Sequence, residues 1–448
     1  MKITKPKIKY FDLYGLRKEK YKFLESHNVK NTKWQSLEVG KFDEEFLKTR
    51  WSKKYKNGFC FFSPKMAGYI IKYGNFFGVD EIFNKYNAGI ATGKDDVLVD
   101  FNKQNLITRL SIKDKKLFEI TMQNYGVKKD LIEKWYEELK SIDIDNEIQD
   151  YNYRVFDKRK VIYNNIILQR SRKSLMNSLI KDNISLISTK ILSSDKFQHI
   201  FISDCIGDRC YISNRGREAN YYFPLYLYQQ QKTEPIFNGQ KQLDLIGKQS
   251  KLDEQKKNKI SNIKKEILEL LKIKYKKAVK PEEVFNYIYA ILYSNKYRQK
   301  YQEFLKIDFP RVPFTADYKL FKELSGLGKE LIDLHLLKSK KLNKTVAKFE
   351  GIGLNEVKKR EYDKKEKKLY INDQQYFAGI EIEVWEYYIG GYQVLDKWIK
   401  DRVGRNLSRE EAEYYLKVIT SLQNTIELQK EVDKLYAKVE RGLINSPF

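Results

Sequence analysis

A short glycine pattern, Phe349-Glu350-Gly351-Ile352-Gly353, is the nearest thing in the chain to a cofactor-binding signature. It follows KTVAK, which is not the buried parallel strand that such a loop needs, so a hairpin turn is the expectation. Gly89-Ile90-Ala91-Thr92-Gly93-Lys94 lacks the spacing of a phosphate loop and has Asp95 where Ser or Thr would reach a metal ion. Methylation of an amino group on a DNA base uses a proline-proline-aromatic loop, yet none of the eight prolines is adjacent to another. Glu254-Gln255-Lys256 and Glu366-Lys367-Lys368 match only the last part of a nuclease carboxylate set, and such triplets arise by chance in so lysine-rich a chain. His199, Cys205 and Cys210 lack a fourth zinc ligand and a zinc-like spacing, so core packing is expected of them. Only His27 and His335 remain for histidine acid-base chemistry. These observations imply no catalytic residues, no metal ligands and no cofactor in this chain.

Cations set beside aromatic and amide side chains are abundant. Lysine and arginine number 86 against 60 acidic residues, a formal charge of +26 that draws polyanions, although a generally lysine-rich proteome explains part of it. Four segments place arginines where they could fork onto base edges or neutralise phosphates. The first, YRVFDKRKVIYNNIILQRSRKSLM, holds Arg154, Arg159, Arg170, Arg172 and Lys173. The second, GDRCYISNRGREANYYFPLYLY, holds Arg209, Asn214, Arg215 and Arg217 ahead of an aromatic strand. Its Tyr221, Tyr222, Phe223, Tyr226 and Tyr228 are expected to be strand core rather than base-stacking platforms. The third, SNKYRQKYQEFLKIDFPRVPF, holds Lys296, Arg298, Lys300 and Arg311. The fourth, GGYQVLDKWIKDRVGRNLS, follows a Gly390-Gly391 turn with Lys397, Lys400, Arg402 and Arg405. For any one of these residues a solvated basic loop is an equally good reading.

A chain of 448 residues calls for two or three subdomains, and 42% hydrophobic with 14% aromatic content is ample to fill their cores. To about residue 73 short helical patterns (LRKEKYKFLESH, FDEEFLKTRW) suggest a connector. From 74 to about 231 strands are expected at DVLVDF, RKVIYNNIIL, NISLISTKIL, HIFISD and RCYIS, broken by a helix from Lys128 to Leu139 whose Leu131, Trp135 and Leu139 share one face. A helical region covers about 247–306: Ile260, Ile263, Ile267, Leu270 and Leu271 follow helical spacing, and Pro281 opens a second helix through EEVFNYIYAILYSNKYRQKYQEFL. A third helix is expected at DYKLFKELSGLGKELIDLHLL, short strands at KTVAKFEG and KKLYIND, and a final helix from about 408 to 440, where Ser408 and Glu411 have capping-box spacing. The fold class is therefore α+β. Three scattered cysteines, no signal peptide and no apolar run long enough for a membrane span point to a cytoplasmic protein.

Four stretches, CYISNRGREANYYFPLYLY, EEVFNYIYAILYSNKYRQKYQEFLKIDFPRVPF, QYFAGIEIEVWEYYIGGYQVLDKWIKDRVGRNLS and the weaker YRVFDKRKVIYNN, resemble the C-terminal specificity region of Type ISP restriction-modification enzymes and their single-chain Type IIG relatives. They recur in the family's order from about residue 76 to the end, while KIKYFDLYGLRKEKYKFL and VDEIFNKYNAGIATGKDD resemble the passage that joins a methyltransferase to its recognition domain. The resemblance implies a connector at 1–75 and a target recognition domain at 76–448, with a β-rich subdomain, inserted helices and a long C-terminal helix. It implies duplex DNA as partner, together with nuclease and adenine methyltransferase domains, in Type ISP also a helicase-like motor, carried by the same enzyme or by a separate subunit. S-adenosylmethionine and Mg would belong to those domains, and the chain is expected to be monomeric. The alternatives are a catalytic fragment of such an enzyme and a basic protein that binds nucleic acid without sequence preference.

Overall fold

The computed structural model describes residues 8–11, 13, 17–37, 67–194, 196–216, 218–228 and 259–446. They fall into two compact units, residues 1–77 with 445–448, and residues 78–444. In the first, β1 (Ile8–Tyr10) pairs antiparallel with β2 (Gln35–Leu37), and α1 (Arg17–Ser26) lies between them in sequence, where LRKEKYKFLESH reads as helical. A second helix, α2, covers Ala67–Gly74. The helix expected at FDEEFLKTRW lies outside the described residues.

The second unit begins with β3 (Asn87–Ala88) and β4 (Val99–Asp100). DVLVDF, expected to be a strand throughout, starts instead as a helical turn over Asp95–Leu98, with the Lys94 carbonyl accepting the Val97 and Leu98 amides. Asp95 and Asp96 favour that turn because acidic groups stabilise a helix start. Three helices follow: α3 (Lys103–Leu110), α4 (Lys115–Asn124) and α5 (Lys129–Ser141), the first two capped by the side chains of Asn102 and Asp114. Trp135 and Leu139 of α5 are buried on the expected face, joined by Ile132 and Tyr136.

β5 (Ile148–Arg154) and β6 (Asp157–Ile162) form a hairpin, followed by β7 (Ser185–Thr189), β8 (Ile200–Ser203), β9 (Ile206–Gly207), β10 (Asn220–Pro224), β11 (Tyr226–Tyr228) and β12 (Lys259–Ser261). One sheet has the order β9-β5-β6-β4 and a second the order β3-β10-β7-β8. Residues 89–92 join the two, since the Gly89 amide donates to Asn220, the Ile90 amide to Gly207, and Ala91 exchanges backbone bonds with Arg170. A Cβ on Gly89 would collide with the Asp208 backbone, so only glycine allows this crossing. RCYIS, expected to be a strand, is a bend, because the side chains of Asp208 and Asn220 take its amide hydrogens in place of a neighbouring strand.

Ile260 and Ile263 were expected on a helix, but Ile260 lies in β12 and Ile263 bridges to Phe83. The buried Asn262 side chain donates to the Lys85 and Pro224 carbonyls and draws this segment onto the β-structure. The helix, α6, begins only at Lys265 and ends at Tyr275, and residues 247–258 of the expected helical region lie outside the described residues. EEVFNYIYAILYSNKYRQKYQEFL forms two helices, α7 (Pro281–Tyr293) and α8 (Asn295–Lys300). Ser294 breaks them apart: its hydroxyl accepts the Tyr297 amide and donates to Asp433.

Next come α9 (Tyr318–His335), then β13 (Lys348–Glu350), β14 (Glu361–Asp363), β15 (Lys368–Tyr370) and β16 (Tyr376–Ala378) in a sheet of order β13-β16-β15-β14. Helices α10 (Val394–Lys400) and α11 (Arg409–Val439) close the unit, and Ser408 and Glu411 form the expected capping box. Helix α7 is buried along nearly its whole length against α9 and α11, and Gly328 permits the closest approach because a Cβ there would collide with the Asn286 carbonyl. A separate apolar cluster ties Trp135, Tyr151, Ile162 and Phe201 to Phe377, Trp398 and Tyr415. The fold is α+β.

Candidate nucleic-acid interface

The loop between β9 and β10 carries Arg209, Asn214 and Arg215, and three buried side chains fix its path. Asp208 accepts the Tyr151 hydroxyl and the Cys210 amide, both at 2.5 Å. Asn220 accepts the Ile212 amide at 2.6 Å and donates to the Glu218 carbonyl at 2.8 Å. The Glu218 carboxylate accepts from the amides and hydroxyls of Ser193 and Ser194, from His199 Nε2 at 2.9 Å and from the Ser213 hydroxyl. Burial acts to raise its pKa, but the bonds from His199, Ser213 and Ser193 prevail and hold it well below the usual carboxylate range. On this base Asn214 and Arg215 are exposed and Arg209 is half-buried. Arg217 lies outside the described residues.

The Gly390-Gly391 turn packs directly on this loop. The Gly391 amide donates to the Ile212 carbonyl at 2.9 Å, and the Tyr392 hydroxyl to the Cys210 carbonyl at 3.0 Å. Two of the four basic segments are thus brought together, the second by its loop and the fourth by its turn.

The fourth segment also meets the first. Asp157, at the start of β6, is buried between Arg159 at 2.7 Å and Arg402 at 3.0 Å. Burial alone would raise its pKa, and the two guanidinium groups instead hold it below the usual value. The Phe101 ring is flanked by Arg159, Arg402 and Arg405, whose guanidinium carbons lie 4.1, 4.9 and 3.9 Å from its centroid. Arg402 also lies 3.5 Å from the Trp398 ring and pairs with Glu411, as Arg405 does. Arg154 is buried against the Tyr153 ring and pairs with Asp208 at 3.3 Å. Arg154, Arg159 and Arg402 are held inside by their partners, whereas Arg405, although paired with Glu411, is 37% exposed, and Lys400 at the end of α10 is exposed.

Arg170 is exposed and pairs through its backbone with Ala91, next to the Ile90 that accepts the Arg209 amide. Arg172 and Lys173 follow half-buried, and Arg172 has a left-handed backbone, φ 55°. The third segment is divided. Arg311 is buried in a two-pronged pair with Glu81, and Arg298 is buried over the Tyr293 ring with its Nε donating to the Leu292 carbonyl. Lys300 is half-buried and pairs with Glu440, and of the four cations in this segment only Lys296 is exposed.

Phe349–Gly353 is not a hairpin turn, because the strand it leaves, β13, pairs with the distant β16. Cys205 is buried and its thiol is pushed up to about 12 by that burial, while Cys210 is raised to about 11 for the same reason. Among the described residues no group of three or more His, Cys, Asp and Glu is placed to hold a metal ion, and no helix is long and apolar enough to cross a membrane. Reasoning from sequence missed Glu218, Asn220, Asp157 and Phe101. Each is a residue that holds cations or loops in place rather than a cation itself, and no local pattern marks that role.

Residues 81–431 match the family model described as the Type ISP C-terminal specificity domain. No curated protein matches the chain. Among solved structures, its fold is similar to that of a nuclease-deletion mutant of the Type ISP restriction-modification enzyme LlaGI in complex with a DNA substrate mimic, with TM-score 0.60 and 18% identity over 95% of this chain and 33% of that one. It is also similar to the ATP-dependent Type ISP enzyme LlaBIII bound to DNA, with TM-score 0.58 and 21% identity over 79% of this chain and 23% of that one. A DrdV–DNA complex gives TM-score 0.63 and 17% identity over 95% of this chain and 43% of that one. The chain thus spans less than half the length of the chains it resembles.

Proposed function

The chain belongs to the family of Type ISP C-terminal specificity domains, and from that premise we propose that it binds duplex DNA and reads a specific sequence as a target recognition module. The observation that carries this beyond family membership is the loop from Asp208 to Glu218, which presents Asn214 and Arg215 to solvent from a backbone held by buried side chains. A base-reading group has to be held in place before the duplex arrives, since ordering a flexible loop subtracts from affinity. Arg209, Asn214 and Arg215 have the chemistry to bond base edges in the major groove. Lys400, Arg405, Arg170, Lys173 and Lys296 suit the phosphates, which fix register without reading sequence. Arg154, Arg159 and Arg402 brace these elements from inside.

In a longer restriction-modification enzyme such binding would set an adenine for extrusion into a neighbouring methyltransferase pocket. S-adenosylmethionine and Mg would serve those other domains, and the assembly would act as a cytoplasmic monomer. The test is to bind the chain to a random-sequence duplex pool, sequence the retained DNA, and measure affinities by fluorescence anisotropy. An enriched motif is the expected result. Binding without enrichment would replace this reading with a sequence-blind polycation, and methyl transfer or cleavage by the chain alone would replace it with a catalytic fragment.

A further inference from the structure

The C-terminal end of α6 and the turn after it carry Lys272, Lys274, Lys276, Lys277 and Lys280, all exposed. None of the five forms an ion pair among the described residues, and the pair that α6 does make, Lys265–Glu269, lies toward its other end. The carboxylates that follow are already engaged. Glu282 accepts the Tyr226 hydroxyl, Glu283 pairs with Lys322, and Asp317 caps α9.

Cations near a helix C-terminus are favoured by the helix dipole, which accounts for Lys272 and Lys274 in the last turn. It does not account for the next three. Lys276 ends the helix with a left-handed backbone, φ 52°, and Lys277 and Lys280 lie beyond it. Like charges this close in sequence repel one another and weaken the helix unless an anion covers them. Two more features suit a nucleic-acid backbone: Ile273, 72% exposed between two of the lysines, offers apolar surface to sugar rings, and Lys277 is held 4.7 Å from the Tyr318 ring.

We propose that this patch is a second contact with duplex DNA, one that grips phosphates without reading bases and is separate from the loop that carries Asn214 and Arg215. It rests on the DNA-binding reading above and adds to it the surface that supplies the salt-sensitive, sequence-blind part of the affinity. Lysine suits that role, since its ammonium is a point charge on a flexible stem, whereas base reading favours the planar fork of arginine.

The experiment compares the full chain with a variant carrying Lys272→Gln, Lys274→Gln, Lys276→Gln, Lys277→Gln and Lys280→Gln, and with a second variant carrying Arg at the same five positions. Binding to a labelled duplex with the selected motif, and to a random duplex, is titrated across a range of salt. Removing one lysine–phosphate pairing lowers the slope of log affinity against log salt by about 0.9, so the Gln variant should drop by about 2 to 4 in slope. The Arg variant should keep the slope, neither variant should melt below the wild type, and the ratio of motif to random affinity should not change. An unchanged slope in a Gln variant that still binds DNA overturns this inference alone, as does a fall confined to the motif duplex. If the wild-type chain prefers no sequence, the recognition reading fails while the slope comparison still decides the patch. Failure of the wild-type chain to bind duplex DNA at all overturns both.

Discussion

Gly390 lies against Ile212 so closely that a Cβ on it would collide with the Ile212 carbonyl oxygen, and its backbone is left-handed at φ 60°. This contact docks the turn before α10 onto the loop that presents Asn214 and Arg215. Gly390→Ala should therefore fail twice, through backbone strain of about 1 kcal/mol and through displacement of the loop. Together these should cost about 2 to 4 kcal/mol of stability. Urea unfolding measures that loss, and anisotropy should show discrimination between motif and random DNA falling with it. A variant as stable and selective as wild type would mean that the turn does not position the loop.

Arg402 and Arg215 are both basic-segment arginines, yet they predict opposite phenotypes. Arg402→Ala removes one of two guanidinium partners from the buried Asp157 and empties the space beside Trp398. Breaking a buried pair costs about 3 to 5 kcal/mol, and the Arg159 that remains on Asp157 should hold the loss to about 2 to 4 kcal/mol. Arg215→Ala, at an exposed site, should leave unfolding unchanged and cost about 1 to 3 kcal/mol of discrimination. The paired measurement is a thermal melt and a motif-to-random affinity ratio for each variant. Equal loss of stability in both would contradict this assignment.

Local signals were legible and distant partners were not. The capping box at Ser408 and the buried face of α5 were readable because both depend on residues three or four apart. DVLVDF misread because the Lys94 carbonyl takes the Val97 and Leu98 amides, and RCYIS because the Asp208 and Asn220 side chains take the Cys210 and Ile212 amides. Arg402 was marked as a cation, but its acceptor lies 245 positions earlier in the chain, and no periodicity reports that separation. Glu218 follows the basic loop in sequence, and no local pattern sets it apart. Only the fold shows it to be the anion on which that loop is anchored.

Glu218→Gln should separate loop anchoring from loop chemistry. The carboxylate receives donors from Ser193, Ser194, His199 and Ser213, and an amide keeps one oxygen while turning an NH2 toward the remaining donors. Leaving buried donors unsatisfied costs about 1 to 3 kcal/mol each, partly relieved where serine hydroxyls rotate. Discrimination should fall at temperatures where circular dichroism still shows a folded chain, while affinity for random duplex stays near wild type because no cation is lost. Intact discrimination in the folded variant would show that the loop needs no such anchor.

His335 gives the pH dependence a defined sign. It is buried between α7 and α11, with Nδ1 2.7 Å from the Tyr289 hydroxyl and Nε2 2.9 Å from the Thr425 hydroxyl. The Thr425 hydroxyl hydrogen goes to the Ser421 carbonyl at 2.7 Å, so its oxygen accepts from Nε2–H and Nδ1 accepts from Tyr289. Protonating Nδ1 would end its role as acceptor and force the Tyr289 hydroxyl to turn its hydrogen away. Burial, with Arg298 adding to it, lowers the pKa from 6.5 to about 3. The unfolded chain therefore takes up a proton in that window that the folded chain refuses. The stability contribution is full above pH 6.5 and declines as pH falls toward 3, by about 3 kcal/mol by about pH 4. His199, also lowered by burial, acts with the same sign. His335→Gln keeps a donor and an acceptor but cannot titrate, so its unfolding free energy should fall less steeply on acidification, by about one proton's worth of slope below pH 6. Urea unfolding of both proteins at several pH values makes the comparison, and parallel curves would show that His335 titrates normally in the fold.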